Sequence, residues 1–481
     1  MDADQIQQLK PMLSQFLRLF GGCFARWETR AHLPVYVEGQ LSDLPRKSVE
    51  PIALQAGVAP RTLQEFLSLL QWDEDRMRDR LQAMVAAEHA GRHAIGVIDE
   101  TSWVKKGNKT PGVQRQWCGA LGKTDNCVVT VHLSLARAGF HCLLDGALYL
   151  PQSWAEDEER CQAAGMPEGL GYRPKWQLAL ELYDRARGNG VELAWVTFDE
   201  GYGSKPPFLR ALEERGQRFV GEVPRTFTGW ICPPRVTWRH FQRARGRPRQ
   251  TPRRVAGSRP ARTVEAMVRS TPALRTQPWQ GWRVKDGTKG PMVWEVKHAL
   301  FYPPDERGLP AAQPLHLVVT RNPLEPKALK FFVSNAPADT PVAALLLAGF
   351  SRWHVERCFE DGKGEIGLDH YEGRLYRGLK RHLAVSAVSY LFLARVREQW
   401  AEQHPQLTVV QVHRAIAALV PSWWLGARVP QRLIERTAQV IRIIQANNAK
   451  AEASHAKATR RKLRSLGFKL SAVPRCSWAG T

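Results

Sequence analysis

The sequence has few acidic residues for its basic content. Its 481 residues include 46 aspartates and glutamates against 69 lysines and arginines, a formal net charge of +23. An excess of this size predicts a polyanionic partner, with nucleic acid as the leading candidate. The chain also has no apolar run of 18 residues and no basic start followed by a continuous apolar stretch, so we expect no membrane association. Its eight cysteines never form a C-x-x-C pair, which argues against a zinc ribbon or a disulfide framework and favours reduced thiols in a cytoplasm.

The composition is otherwise that of a globular protein, with 43% hydrophobic and 24% charged residues. At about 150 residues per domain, the length predicts about three domains. Changes in pattern divide the chain further. We expect a helical region, a mixed α/β region, a β-rich region, a second helical region and a helical C-terminal region with a basic tail, at residues 1–90, 91–223, 224–340, 341–402 and 403–481.

The first region contains a possible helix-turn-helix. Between residues 48 and 70, apolar residues recur at helical spacing on both sides of Gly57, and Pro60 suits the first turn of a second helix. Two short helices joined by a glycine-containing turn are the layout of that motif. Its second helix would present Arg61 to a DNA groove. A small helical bundle without a DNA-binding role remains an equal alternative.

The second region predicts a sheet. Short apolar runs at 94–100, 126–135 and 141–150 indicate three strands of an antiparallel meander. A helix at 175–187 follows, and then strands at 193–198 and 218–223 with a helix between them. This order predicts an α/β fold with a mixed five-stranded sheet.

Two later segments are strongly basic. Residues 235–262 contain ten arginines and no acid, a composition typical of a solvated, mobile segment. The tail after Asn447 carries eight lysines and arginines against one acid, Glu452. Such a tail is typical of an extension that contacts phosphates without folding.

Two acids, Asp99 and Asp199, each follow an apolar run that we expect to be a buried strand. If these strands are neighbours, the two carboxylates converge and must share a proton or bind a divalent metal. Proton sharing is typical of glycosidases, and metal sharing is typical of phosphoryl transfer. The excess of positive charge favours a phosphodiester substrate.

A third acid is expected from the helical segment 351–363. Arg352, Glu356, Glu360 and Lys363 follow one another at i, i+4, i+8 and i+11, so all four side chains lie on one helix face. A salt-bridged surface stripe is the alternative interpretation of this pattern.

Several motifs resemble those of the DDE-superfamily insertion-sequence transposases, most closely the insertion sequence 701 family, a relative of the insertion sequence 4 family. The resemblance extends from about residue 35 to about residue 393. It rests on the stretches 99–107 (DETSWVKKG), 112–123 (GVQRQWCGALGK) with 125–127 (DNC), 148–154 (LYLPQSW), 199–203 (DEGYG), and 352–356 (RWHVE) continuing to 367–374 (GLDHYEGR).

The resemblance implies an RNase H-like catalytic core, in residues 91–223 and 341–402, interrupted by a mostly β insertion between the second and third acids. It implies that Asp99, Asp199 and Glu356 are the catalytic, metal-binding acids. The related family's Tyr-Arg-Glu-Lys pattern places its arginine at Arg352 and its lysine at Lys363, whereas its tyrosine position is Gly349. Glu360 and Glu365 remain competitors for the third acid.

The implied reaction is phosphodiester hydrolysis at the ends of the element, followed by attack of the freed 3′-hydroxyl on target DNA. Carboxylate ligands favour two Mg²⁺ or Mn²⁺ ions. Arg352 and Lys363 are expected to bind DNA phosphates, with Lys105 and Lys106 as further candidates.

The expected partners are double-stranded DNA, as terminal inverted repeats and target, and further copies of the chain in a homodimer or larger synaptic complex. The expected location is the cytoplasm, at the nucleoid. Two alternatives stay open: a relative that binds DNA but has lost cleavage, and an RNase H-like nuclease without strand transfer.

Overall fold

The computed structural model describes residues 1–237 and 251–478, which form two compact units. Unit 1 comprises Met1–Ala194 and Arg352–Ala451, and unit 2 comprises Trp195–Ser351 and Glu452–Thr481. Each unit combines helices with a β-sheet, so the α/β class is confirmed.

The secondary structure follows the chain in this order. The helices are α1 Ala3–Arg18, α2 Trp27–Gln40, α3 Val49–Gln55, α4 Pro60–Ser68, α5 Glu74–His89, α6 Gln152–Ala155, α7 Glu158–Ala163, α8 Lys175–Gly188, α9 Glu200–Gly203, α10 Pro206–Glu214, α11 Val264–Ser270, α12 Pro272–Arg275, α13 Val342–Phe350, α14 Trp353–Ile366, α15 Tyr376–Gln399, α16 Val409–Trp424 and α17 Gln431–Ser465. The strands are β1 Gly91–Val104, β2 Gln114–Cys118, β3 Lys123–Arg137, β4 Phe140–Leu148, β5 Leu193–Phe198, β6 Phe219–Val223, β7 Thr228–Gly229, β8 Val236–Thr237, β9 Arg253–Arg254, β10 Arg262–Thr263, β11 Gln280–Gly287, β12 Gly290–Phe301, β13 Leu315–Asn322 and β14 Glu325–Ser334.

The N-terminal helices begin where the sequence provides caps. Asp2 and Gln5 form a reciprocal capping box at the start of α1, and Pro60 occupies the first turn of α4. Between α3 and α4, Gly57 has a φ of +70°, in the left-handed region that favours glycine. Two short helices around this turn are therefore present, and their DNA-binding role stays a prediction.

The sheet of unit 1 is built around β3, which pairs antiparallel with β1, β2 and β4. The three predicted strands of the meander are present, and β2 is an additional short strand. The register places Asp99 of β1 directly opposite His132 of β3. Paired residues project from the same face, and α14 packs against this sheet.

The sheet of unit 2 contains β5 and β6 in parallel, followed by β14, β13, β12 and β11 in antiparallel order. In the region 224–340, which the sequence predicts to be rich in β-structure, the strands β11 to β14 are 8–12 residues long, and the short helices α11 and α12 precede them. Because β14 pairs with β6, this part of the chain extends the same sheet. Of the Arg-rich segment, residues 238–250 lie outside the described residues.

The C-terminal region, predicted to be helical, contains the two helices α16 and α17. They are separate because Gly426 has a φ of +60° and Pro430 precedes the second helix. The basic tail was expected to be unfolded, but α17 continues to Ser465. No helix in the described ranges combines the length and apolar character that crossing a membrane requires.

Candidate active site

Asp99 lies near the middle of β1 as a largely buried carboxylate, with its side chain 12% exposed. Its Oδ1 accepts a hydrogen bond of 2.8 Å from the backbone N–H of Glu100. Its Oδ2 accepts a charge-assisted hydrogen bond of 3.0 Å from Nη1 of Arg352. A carboxylate at this depth needs such a cation, because its desolvation is otherwise uncompensated.

Arg352 also brings Glu356 to the same place. Arg352 is the N-cap residue of α14, and its Nη2 lies 2.9 Å from Oε1 of Glu356, one turn further along the helix. The Glu356 side chain is 57% exposed. One guanidinium thus bridges the first and third acids predicted from the sequence, and both belong to unit 1.

The sheet beneath Asp99 is rigidly packed around His132. The Nε2 of this histidine lies 2.8 Å from Oγ1 of Thr130, and its ring packs edge-on against Phe359 of α14. Burial lowers the pKa of His132 to about 3, so its ring is neutral. Gly146 of β4 makes room for the ring, since a Cβ there would lie 2.7 Å from it.

Other residues of α14 extend the site. Nζ of Lys363 donates a 3.0 Å hydrogen bond to the carbonyl of Ser102, and burial lowers its pKa. Of the competing acids, Glu360 pairs with Arg357 at 3.1 Å and Glu365 pairs with Nδ1 of His413 at 2.6 Å. Neither competitor pairs with Arg352, and this difference favours Glu356 as the third acid.

The lysines predicted after β1 differ in their surroundings. Nζ of Lys105 donates to the carbonyls of Asp369 and Tyr371, at 3.0 and 2.6 Å, and burial lowers its pKa to about 8. These bonds argue against the predicted phosphate contact by Lys105, which instead holds the loop after α14. Lys106 is exposed. Far from this loop in sequence, Arg61 is exposed on α4 and pairs with Glu65 at 2.6 Å.

Asp199 belongs to unit 2, directly after β5. Its Oδ1 accepts hydrogen bonds from the backbone N–H groups of Gly201 and Tyr202, at 3.0 and 3.4 Å, which caps α9. This is the strand-end position expected from the sequence. Its convergence with Asp99 and Glu356 stays a prediction.

Gly349 occupies the position where the related family has a tyrosine. In α13 its backbone faces the sheet of unit 2, and a Cβ there would lie 3.0 Å from Cγ1 of Val220 and 3.4 Å from Cδ1 of Phe332. The neighbouring Phe350 packs on Trp294, with ring centroids 4.7 Å apart. A tyrosine at 349 would point into this packing rather than toward a phosphate.

The donor chemistry suits a hard divalent cation, although within residues 1–237 and 251–478 no three His, Cys, Asp or Glu side chains lie together as a metal-binding group. Asp99 and Glu356 converge on one positive charge, that of Arg352. Carboxylate oxygens are the ligands that Mg²⁺ and Mn²⁺ prefer. The two acids present in unit 1 therefore fit part of such a site.

The sequence interpretation missed His132 and the pairing of Glu100 with Lys175 beside Asp99. The alternation of β3 predicts which residues share a face with His132, but it does not give the strand register. That register depends on contacts between distant residues, which a single sequence does not reveal.

Comparisons with known proteins agree with the family resemblance of the sequence motifs. The model of a family described as DDE superfamily endonuclease matches residues 19–291. A probable transposase for insertion sequence element IS701, from Microchaete diplosiphon, is 32% identical over 211 residues. That alignment covers 43% of this chain and 53% of the relative, so it spans about half the length of the curated relative.

Proposed function

The chain belongs to the DDE superfamily endonuclease family and is an enzyme of that class, and from this premise we propose that it is an insertion-sequence transposase. The proposed reaction is hydrolysis of a phosphodiester at the element's terminal inverted repeats, followed by transfer of the 3′-hydroxyl end into target DNA. The similarity to the IS701 transposase supports this choice.

The observation that carries the proposal is the position of Arg352 between two carboxylates. Asp99 and Glu356 are 257 positions apart, yet both lie within 3.0 Å of one guanidinium. Two carboxylates held beside one buried strand would repel each other without a cation. This arrangement suits a site whose carboxylates bind metal cations during the cleavage of DNA.

We assign the binding of Mg²⁺ or Mn²⁺, two ions in all, to Asp99, Asp199 and Glu356. When bound, such ions activate the attacking oxygen and stabilise the leaving oxygen in phosphodiester chemistry. Among the chain's own groups, Arg352 would bind a phosphate beside the scissile bond through its planar fork, and Lys363 would add a second positive charge.

The remaining contacts to DNA are assigned by position. Arg61 lies on the exposed side of α4, where it could approach a groove, and Lys106 is exposed after β1. We propose that the protein works in the cytoplasm at the nucleoid, as a homodimer or larger assembly on paired element ends.

Cleavage of a duplex oligonucleotide that carries the terminal repeat tests this proposal. In Mg²⁺, Asp99→Ala and Glu356→Gln should each lower nicking by roughly 100-fold or more, since even the supporting partners of metal ligands cost 10- to 100-fold. Glu360→Gln, on the next turn of the same helix, is the matched control and should keep normal nicking. DNA affinity of Asp99→Ala should be unchanged or slightly higher, because a negative charge is lost beside the phosphates.

The same assay separates the alternatives. Binding without cleavage by the wild-type chain would indicate a DNA-binding relative that has lost catalysis. Cleavage without joining to target DNA would indicate an RNase H-like nuclease. Equal nicking by wild type and Asp99→Ala would refute the assignment of the site.

A further inference from the structure

The C-terminal part of unit 2 is docked on the hairpin formed by β11 and β12. Oγ1 of Thr459, in the last third of α17, donates a 2.7 Å hydrogen bond to the carbonyl of Lys289. Gly290 begins β12 with a φ of +97°, and a Cβ there would lie 2.8 Å from Cα of Ala456. The helix and the hairpin therefore touch backbone to backbone at this point.

The chain after α17 continues this attachment. Leu463 is buried at the end of the helix. The N–H of Arg283 donates to the carbonyl of Pro474 at 2.9 Å, and the N–H of Cys476 donates to the carbonyl of Arg283 at 3.0 Å. These two bonds add a short parallel bridge to β11. The basic tail is thus held in place at both ends of its last 20 described residues.

Five cations lie in the docked part of the helix, within eight residues. All are exposed, and none forms an ion pair with a carboxylate in the part of the chain that the structure describes: Lys457, Arg460, Arg461, Lys462 and Arg464. Unpaired cations that are held this close together repel each other, which is an unfavourable arrangement unless an anion binds there.

The spacing of these cations matches a phosphate backbone. Lys457, Arg461 and Arg464 follow at i, i+4 and i+7, so they share one face of α17, and Arg460 lies beside them. From Lys457 to Arg464 the helix rises roughly 10 Å, the length over which one strand of B-DNA presents about three phosphates.

We infer that the docked end of α17, together with the β11–β12 hairpin that supports it, is a binding surface for the backbone of double-stranded DNA. This inference rests on the proposed function, since it takes DNA as the substrate. It goes further in giving unit 2 a contact with DNA through a fixed helix. Cations on a docked helix lose less conformational freedom on binding than those of a flexible tail.

The test uses two variants of the full-length chain and a matched control. The charge variant is Lys457→Gln, Arg460→Gln, Arg461→Gln and Arg464→Gln together. The undocking variant is Gly290→Val, which keeps every charge but places side-chain atoms against Ala456. The control removes four other exposed cations, one just before α17 and three in its first third: Arg428→Gln, Arg432→Gln, Arg436→Gln and Arg442→Gln.

Affinity for a duplex is measured against salt concentration in EDTA, so that cleavage does not contribute and the proposed function is tested separately. For the charge variant, the plot of the logarithm of the association constant against the logarithm of the salt concentration should become less steep. The magnitude of its slope should fall by roughly three to four, about one for each lost phosphate contact, and binding should weaken at least tenfold. The control should change this slope by less than half as much as the charge variant does. Gly290→Val should reproduce most of the loss, and circular dichroism with hydrogen exchange should show that only the end of α17 has loosened.

Four results would overturn the inference. Equal losses in the charge variant and the control would mean that net charge alone matters. A normal Gly290→Val with a weakened charge variant would mean that a flexible tail is sufficient. Unchanged duplex binding by the charge variant, or equally tight binding of single-stranded RNA by the wild type, would point to another partner.

Discussion

The guanidinium of Arg352 supplies the positive charge between two acids of the candidate site. It lies between Asp99 and Glu356 and neutralises a carboxylate that is almost out of contact with water. A metal ion held by these acids, as we propose, would have to compete with the same positive charge, because both would bind the same lone pairs. The contact therefore stabilises the acids in this structure and would oppose metal binding.

Arg352→Gln tests this competition directly. Without the guanidinium, the carboxylates should bind Mn²⁺ more tightly when DNA is absent, by roughly tenfold, the size by which an adjacent opposite charge shifts a carboxylate pKa. Mn²⁺ binding is measured by electron paramagnetic resonance. Arg357→Gln, on the same helix and paired with Glu360, is the control and should leave Mn²⁺ affinity unchanged. Weaker Mn²⁺ binding by Arg352→Gln would contradict this account.

Among the elements, α13 explains why the related family's tyrosine is missing. Gly349 lets the helix approach β6 and β14 closely, and the aromatic contact of Phe350 with Trp294 fixes its orientation. The motif comparison alone shows only that the tyrosine is absent. The packing shows that this position lies in the core of unit 2.

Gly349→Tyr should therefore destabilise the protein rather than restore a contact. The ring has no space between α13 and the sheet, so we expect unfolding to become easier by about 3 kcal/mol, at the upper end for overpacked cores. Chemical denaturation measures this change. Gly364→Tyr, at an exposed site of α14 with no atom within 4 Å of its Cβ, should cost far less. Equal stability of the two variants would show that α13 is not packed in this way.

The elements also show what the sequence can predict. Apolar runs located β1, β3, β4, β5 and β6, because strands that are buried on both faces carry apolar residues at successive positions. The strand β2 was missed because its sequence, QRQWC, is mostly polar and has an exposed tryptophan at position 117. The surroundings of Lys105 could not be predicted, because a lysine in a loop next to a strand is ordinarily solvated, whereas here its ammonium group donates to two backbone carbonyls of a distant loop. Its contact with a DNA phosphate stays a prediction.

At the scale of the whole molecule, the fold class and the strand-end position of Asp199 could be read from the sequence, but the division into units could not. The expectation that Asp99 follows its strand was wrong, because β1 continues to Val104. The α/β class follows from local periodicity. Each unit, in contrast, joins segments that are separated by 100 residues or more. The meeting of Asp99 with Glu356 likewise depends on how α14 packs on the sheet, which is a long-range contact without a local signal.

Buried histidines make the stability of the protein dependent on pH. Burial lowers the pKa of His132 to about 3 and the pKa values of His141 and His382 to about 4. In the unfolded chain these groups titrate near 6.5. Between pH 4 and 6.5 the unfolded chain therefore binds more protons, and these histidines lower the free energy of unfolding as the pH falls. Burial raises the pKa values of Glu38 to about 7 and Asp361 to about 6, which acts in the opposite direction.

His132→Gln isolates one of these contributions. The free energy of unfolding of the wild type relative to this variant should decrease as the pH falls from 7 to 5, by at most about 1.4 kcal/mol per pH unit below 6.5. Urea denaturation at several pH values measures the difference. His455→Gln, at an exposed position of α17, is the control and should show no such trend. A constant difference between wild type and His132→Gln would mean that His132 is not held neutral.

Iron-mediated cleavage of the protein can show whether Asp99, Asp199 and Glu356 bind one cluster of metal ions, as we propose. Fe²⁺ bound in place of Mg²⁺ generates hydroxyl radicals with ascorbate and peroxide, and these cut the polypeptide beside the ion. We predict cuts near residues 99, 199 and 356, suppressed by excess Mg²⁺ and all lost together in Asp99→Ala. Cuts at only one or two of these places, or cuts that persist in Asp99→Ala, would contradict the account.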